Sequence, residues 1–421
     1  TYYSRESTSN ITSELGYIMA LTNTPAIYDN YVECVKKVTA EEVKAAANKY
    51  LGVNRSAVSI VLPDNLKKVS NVKAEVKHNA AKISEHNGTV KYTVDNGSTL
   101  LINENKNNDI IAISIIARGG EFIEKVAGEG TLTATTLLKG TKKYSAQELA
   151  QILDENGIEI DANCSEDYFV INVQTTTAQI DKTLDILDEV INNAVFDDYE
   201  LEKKRSEILA KIKQKRDVPM NIALENFKTL IFENSVYSHS NKILEKSLPS
   251  VQREDVVRYY NNILDAKNVI VSINGNVETD KMISAFGSIL PNRNLSKVDF
   301  SKYHVTKLTA PKTVSQTIKD LQTSWLFIGW QTAGVGNKKD FVTLKVINTI
   351  MGSGMSSRLF KNLREKDGLA YQLGTSYSPK MLSGVFMAYI GTNPDTLEYS
   401  RKQILAEMNK LKLEFVSDSE L

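Results

Sequence analysis

Arg364 and Tyr371 stand seven residues apart in the sequence. A fixed cation beside a phenol is a pair able to grip a polarised carbonyl oxygen. Both belong to the stretch Met-Gly-Ser-Gly-Met-Ser-Ser-Arg-Leu-Phe-Lys-Asn-Leu-Arg-Glu-Lys-Asp-Gly-Leu-Ala-Tyr, from Met351 to Tyr371. Its opening residues Gly352, Ser353, Gly354 and Ser356 form a glycine/serine loop, either a plain turn or backbone that lets a peptide come close. No Gly-Lys-Ser/Thr follows, so it is not a phosphate loop. A short amphipathic helix comes next and stops at Gly368, and a strand is expected to begin with Tyr371. Spacing alone leaves two plainer readings open. Arg364 is also what a solvated helix end favours, and Tyr371 shares its strand face with Leu369 and Leu373 and can simply pack.

The elements around this corner are legible from caps, turns and periodicity. Thr39-Ala-Glu-Glu42 and Ser145-Ala-Gln-Glu148 are capping boxes, predicting helices to about Leu51 and to Gly157. A strand is expected over Ser56–Leu62, a linker from Pro63 to about Gly88, and a hairpin from Val90 to Glu104 around Asp95-Asn96-Gly97. Ile110–Ala117 reads as a buried strand, Thr131–Leu138 as a helix, and Ile158–Asn163 and Tyr168–Thr175 as strands. Long helices follow over Thr177–Ala194 and Asp197–Arg216, then a helix near Val251–Ile263 and a strand over Asn268–Asn274. A second linker is expected from Pro291 to Thr309. Beyond it come a strand (Thr323–Trp330), a helix (Lys339–Met351), the corner, a strand (Gly384–Gly391) and a helix (Pro394–Lys412).

Repetition organises these pieces. Val38–Ile60 aligns without gaps on Val251–Ile273, 213 residues on, matching Val38/Val251, Glu41/Glu254, Asn48/Asn261 and Ile60/Ile273. A shift of 211 sets Asn156-Gly157-Ile158 beside Asp367-Gly368-Leu369, each where a helix yields to a strand. The expected class is therefore α+β: repeated two-layer domains, mostly antiparallel sheet with helices packed on one face.

Composition narrows the function classes. The 421 residues are 42% hydrophobic and 24% charged, with 51 basic and 51 acidic side chains. That balance argues against a nucleic-acid footprint, and no apolar run reaches the ~18–20 residues of a membrane span. The chain is expected to be soluble, in a compartment the sequence does not specify. Cys34 and Cys164 are too isolated for a disulfide framework or a metal cluster. An opening without methionine and a close at Glu420-Leu421 just after a helical stretch suggest a portion of something longer.

At Ser353–Tyr371, and at Lys139-Gly140-Thr141 followed by Ser145-Ala-Gln-Glu148-Leu, the sequence resembles the pitrilysin/insulinase family of zinc metallopeptidases, which includes the mitochondrial processing peptidases. The resemblance covers essentially the whole chain. It implies four related α+β domains, in one chain or two subunits, forming two bowl-shaped halves around a peptide-sized chamber. Residues 1–62 would be the tail of a second-type domain, 63–87 a linker, 88–295 a third-type domain, and 296–421 a fourth-type domain lacking its tail.

The family's H-x-x-E-H motif puts two imidazoles on one helix face for zinc, with the glutamate activating water. Counted back from Lys139-Gly-Thr141, those positions hold Thr131, Leu132, Thr133, Ala134 and Thr135, and the downstream ligand position falls at about Ala210. Hydroxyls and methyls cannot replace them, and His78, His86, His239 and His304 form no such motif. The resemblance thus implies a non-zinc half: no cofactor in this chain, with zinc expected in the missing catalytic half. Arg364 and Tyr371 match the fourth-domain arginine and tyrosine that reach substrate there, whereas Ile160 occupies the third-domain place of Tyr371. The implied partners are an extended peptide and the zinc-bearing half, in the same precursor or a partner subunit. Pairing or exchange of residues 1–62 with the fourth-type domain, within one molecule or in a homodimer, is a further expectation. The chain alone is expected to be inactive. The alternative is a catalytically inactive peptide-binding or assembly subunit of the same fold. Glu121 and Glu129 read as surface carboxylates, and Glu202–Glu207 as a solvated helix face.

Overall fold

The structure is a computed structural model that describes residues 19, 37–50 and 78–421, except Asp217, Asn294, Asp320 and Ser419, with Ala47 and Asn48 as backbone only. Contacts divide the chain into two compact units, Thr1–Lys73 and Ala74–Leu421. In the first, helix α1 (Ala40–Tyr50) opens as its capping box requires. The Thr39 hydroxyl accepts from the Glu42 amide at 3.2 Å, and the Glu42 carboxylate accepts from the Thr39 amide at 2.9 Å. Cys34, the strand expected at Ser56–Leu62 and most of the proposed tail lie outside the described residues.

Among the described residues the second unit contains two sheets. The larger has seven strands: β1 (Ala80–His86), β2 (Thr89–Val94), β3 (Thr99–Glu104), β4 (Ile110–Arg118), β5 (Glu159–Cys164), β6 (Tyr168–Thr176) and β7 (Val269–Gly275). Their order is β1-β2-β3-β7-β4-β6-β5, and every pairing except β3 with β7 is antiparallel. β4 alternates exposed and buried residues in its first half, the pattern of a sheet covered on one face. Its helices are α2 (Glu129–Thr136), α3 (Ala146–Asn156), α4 (Ile180–Asn193), α5 (Asp198–Lys215), α6 (Pro219–Ile231), α7 (Asn241–Ser247), α8 (Arg253–Ile263) and α9 (Thr279–Ile289). One apolar core joins Ile111, Ile113 and Ile115 of β4 to Leu149 and Leu153 of α3, Leu184 and Leu187 of α4, and Met282 and Phe286 of α9. Each such fully buried side chain is worth about 1.5–3 kcal/mol.

Two linker expectations are corrected. β1 lies inside the expected 63–88 linker. It carried no apolar pattern because it is an edge strand with six of its seven side chains exposed. Within the second expected linker a 3-10 turn, Phe300–Lys302, buries Phe300 edge-to-face against Phe122 at 5.6 Å.

The smaller sheet orders β8 (Ser324–Gln331), β10 (Val385–Thr392) and β9 (Gln372–Ser378), all antiparallel. Helices α10 (Lys338–Gly352) and α11 (Leu397–Leu413) accompany it, with a π-helix over Phe360–Lys366 between. Met351, Leu359, Leu363, Phe386, Ile390 and Ile404 form its core.

A third cluster, including Phe122, Phe227, Phe232, Tyr237 and Val385, ties the two sheets together. Within it the Tyr237 hydroxyl donates to Asp167 Oδ1 at 2.6 Å and accepts from the Leu382 amide at 3.1 Å. Asp167 Oδ2 takes the Met381 amide at 3.1 Å, and Lys380 pairs with Glu166 at 2.8 Å. The β9–β10 turn is thus bolted to the β5–β6 turn.

Candidate functional site

The corner singled out by sequence is assembled from three pieces. α10 starts on Asn337, whose side chain accepts from the Asp340 amide at 3.2 Å, and ends where the Ser353 amide returns to Asn348 O at 3.1 Å. The chain turns through Gly354 at φ 114°, a left-handed conformation that favours glycine. Ser357 closes the turn, its hydroxyl donating to Gly354 O at 2.7 Å. The next helix buries Leu359 and Leu363 and widens into the π-helix. The Asp367 amide bonds Asn362 O five residues back at 3.1 Å. Gly368, at φ 63°, releases the chain toward β9.

Arg364 and Tyr371 meet here. The guanidinium carbon lies 4.6 Å from the centroid of the Tyr371 ring and 4.6 Å from that of Phe360. Nη1 donates to Tyr371 O at 3.1 Å. Among the described residues no carboxylate pairs with Arg364. Tyr371 is 79% exposed and precedes β9, which starts at Gln372. The strand was expected to begin with Tyr371, its ring on the face of Leu369 and Leu373. Those two leucines do pack on the core, but Tyr371 lies outside the ladder and its ring faces solvent. Phe360, the second ring against the cation, escaped the sequence reading because it sits at an unremarkable helical position.

Of the loop residues, Ser353, Gly354 and Ser356 are exposed, whereas Gly352 is turned against β9. A Cβ on Gly352 would lie 2.2 Å from the Thr375 amide nitrogen. That glycine serves the close approach of α10 to the strand. Met355, at the tip, is also exposed.

Thr131, Ala134 and Thr135 lie on α2 and Ala210 on α5, helices that pack against each other. Thr135 returns its hydroxyl to the helix, donating to Thr131 O at 2.9 Å, and Ala134 is buried. No imidazole, thiolate or carboxylate stands at these positions, so they do not fit the family's zinc.

The carboxylates near α2 are not solvated surface groups. Glu129 is 1% exposed and accepts from the Lys125 and Val126 amides and from Arg258 at 2.6 Å. Burial raises its pKa. Glu124 accepts from the Gly128 and Gly130 amides at 3.1 and 2.7 Å, and burial pushes it up to about 8. Glu121 hydrogen-bonds His239 at 3.0 Å, which holds the imidazole above its ordinary range. Ligand atoms of Glu121, Glu124 and His239 lie within 4.8 Å of one another, a set able by its chemistry to hold a divalent ion. Both Glu124 oxygens, however, already take backbone amides, and His239 is already paired. Arg205 corrects the reading of Glu202–Glu207 as wholly solvated, since it donates to Leu248 O and Val251 O at 3.1 and 2.6 Å.

Comparison with known proteins agrees with this architecture. Insulinase (Peptidase family M16) matches residues 99–241, and the Peptidase M16 inactive domain matches residues 250–421. An uncharacterized zinc protease of Rickettsia felis is 28% identical over 328 residues, covering 77% of this chain and 78% of that one. The crystal structure of a protease from Helicobacter pylori superposes with a TM-score of 0.71 at 21% identity, over 82% of each chain. The periplasmic protease PqqL from Escherichia coli gives a TM-score of 0.71 at 14% identity, over 93% of this chain and 43% of that one. The expected α+β fold, antiparallel-dominated with helices, is the fold observed.

Proposed function

The chain belongs to peptidase family M16, as a protein of the inactive-domain type related to zinc proteases, and from that premise we propose that it is the non-zinc half of a zinc metalloendopeptidase. It binds an extended peptide in a chamber shared with the zinc-bearing half, along a sheet edge. The zinc and general base belong to that other half. Arg364 and Tyr371 face the scissile carbonyl, where a guanidinium and a phenol stabilise oxygen charge as it develops.

One observation carries the reading: an arginine with no carboxylate partner among the described residues, lying against two rings at an exposed corner and donating to the Tyr371 carbonyl. A leftover core residue would be buried, and a merely solvated cation would not lie 4.6 Å from two ring centroids. In the complete enzyme, Arg364→Ala or Tyr371→Phe should lower kcat on the order of 10²-fold with little change in substrate binding. Wild-type kcat in both variants would remove the proposed role. The isolated chain should not hydrolyse peptides, and robust chelator-sensitive cleavage by it would overturn the assignment.

A further inference from the structure

The two repeats differ by one residue at the place that matters. Upstream of the helix exits they align with a shift of 210: Leu149 on Leu359 and Leu153 on Leu363, four buried leucines in equivalent core positions. Downstream the shift is 211: Gly157 on Gly368, at φ 60° and 63°, and Ile158 on Leu369. The exits show the same slip. The Ile158 amide bonds Leu153 O, five residues back, at 3.0 Å, whereas the Leu369 amide bonds Leu363 O, six back, at 2.8 Å. Between core leucine and exit the first repeat carries Asp154, Glu155 and Asn156, and the second carries Arg364, Glu365, Lys366 and Asp367.

We infer that this extra residue, accommodated as the π-turn, is a positioning device that delivers Arg364 to Tyr371. Counted back from the exit glycine, Arg364 stands where Leu153 points into the core of the first repeat. With the extra residue Leu363 takes the core position and Arg364 is displaced onto the rings of Phe360 and Tyr371. One residue is about 100° of rotation and 1.5 Å of rise in an α-helix, enough to decide which side chain faces the exit. π-turns inside helices are uncommon and gather at functional sites. Two residues outside the Arg364, Phe360 and Tyr371 cluster hold this one open. Asn362 O accepts the five-residue bond from Asp367, and Asn362 Nδ2 donates at 3.0 Å to Glu407. Glu407 is buried beside the apolar core and also takes Lys410 at 2.7 Å. The first repeat has Ile152 at the position of Asn362, with no such tether. Asn362 and Glu407 are therefore positioning residues that act through Arg364.

The functional meaning rests on the proposed role of Arg364, but the positioning is testable without catalysis. The chain is labelled with 3-fluorotyrosine, and the Tyr371 resonance is assigned with Tyr371→Phe and with Arg364→Ala, which removes the stacked cation. Deletion of Lys366, and separately Asn362→Ile, should move that resonance to its Arg364→Ala position while the protein stays folded. If the deletion fails to fold, Asn362→Ile decides. A wild-type Tyr371 resonance in either folded variant would overturn the inference. Displaced resonance with unchanged kcat in the complete enzyme would instead overturn the role of Arg364 and leave the positioning standing.

Discussion

Removing one hydroxyl at the junction of the two sheets tests whether they are coupled through the buried tyrosine. Tyr237 is 0% exposed, its ring packed on Phe122 and Phe232. Tyr237→Phe keeps that packing and deletes only Oη. Two interactions go with it: a bond to the Asp167 carboxylate at 2.6 Å and the acceptor for the Leu382 amide at 3.1 Å. A hydrogen bond to a charged group is worth about 1.5–3 kcal/mol, and an amide left unsatisfied in a buried place costs about 1–3 kcal/mol. Asp167 retains the Met381 amide and Leu382 is only half-buried, so the expected loss is about 2–4 kcal/mol. Burial keeps the phenol protonated far above its ordinary range, so the loss should be flat with pH across the neutral region. Urea unfolding measures the total, and amide exchange at Met381 and Leu382 locates it. A loss under about 0.5 kcal/mol, below that of an ordinary hydrogen bond, or unaltered exchange at the β9–β10 turn would refute the coupling.

Other perturbations address the groups around α2 and the loop. Glu124, at about 8 in the folded chain, gives up its proton in the unfolded chain first, so its own contribution to stability is full at acid pH and is lost as pH rises toward 8. His239 acts in the same sense, its contribution lost as pH rises through its raised folded value. Glu124→Gln should therefore make the slope of Tm against pH between about pH 5 and 9 more positive than in the wild type, an effect on the order of a few kcal/mol; an unchanged slope would sink the assignment. Arg258→Met leaves Glu129 buried without its cation and should cost about 3–5 kcal/mol at neutral pH, and denaturation at the wild-type midpoint would contradict it. Gly352→Ala drives a Cβ into the Thr375 amide and should cost about 1–3 kcal/mol, so full stability would show that α10 does not rest on β9 as described.

What the sequence revealed and what it hid follow from the range of the interactions involved. Local signals were legible. Both capping boxes form as written, and Ser145 and Glu148 exchange both of their bonds. The Asp95-Asn96-Gly97 turn joins β2 to β3 with Gly97 at φ 91°. The repeat marked the helix exits at Gly157 and Gly368. Long-range satisfaction was not legible. Glu129 looks like any surface carboxylate until Arg258, 129 residues away, is placed beside it. Arg205 belongs to a charge run, yet its guanidinium is spent on carbonyls 43 and 46 residues distant. α6 and α9 went unassigned although Leu224, Phe227 and Ile231 in one, and Met282, Phe286 and Ile289 in the other, stand at helical spacing. The arginine and tyrosine could be named from their flanks, but their contact depends on a π-turn that helical periodicity cannot encode.

The two repeats spend their charged groups in opposite ways, and that contrast bears most on function. Around α2, in the first, Glu124, Glu129, Arg258, Glu121 and His239 are bound to one another or to backbone amides. Thr135 consumes its hydroxyl on its own helix. Such groups stabilise a helix end and leave little for an incoming ligand. In the second repeat the helix exit at Gly368 carries a cation with no carboxylate among the described residues, set against two rings and one carbonyl. Clamping costs side-chain entropy, and leaving Tyr371 exposed forgoes the burial that Ile160 gains, partly covered against the core, at the matching place. The ring contacts and the carbonyl bond of Arg364 offset part of that entropy, and the exposed ring of Tyr371 is the surface that the proposed peptide would cover.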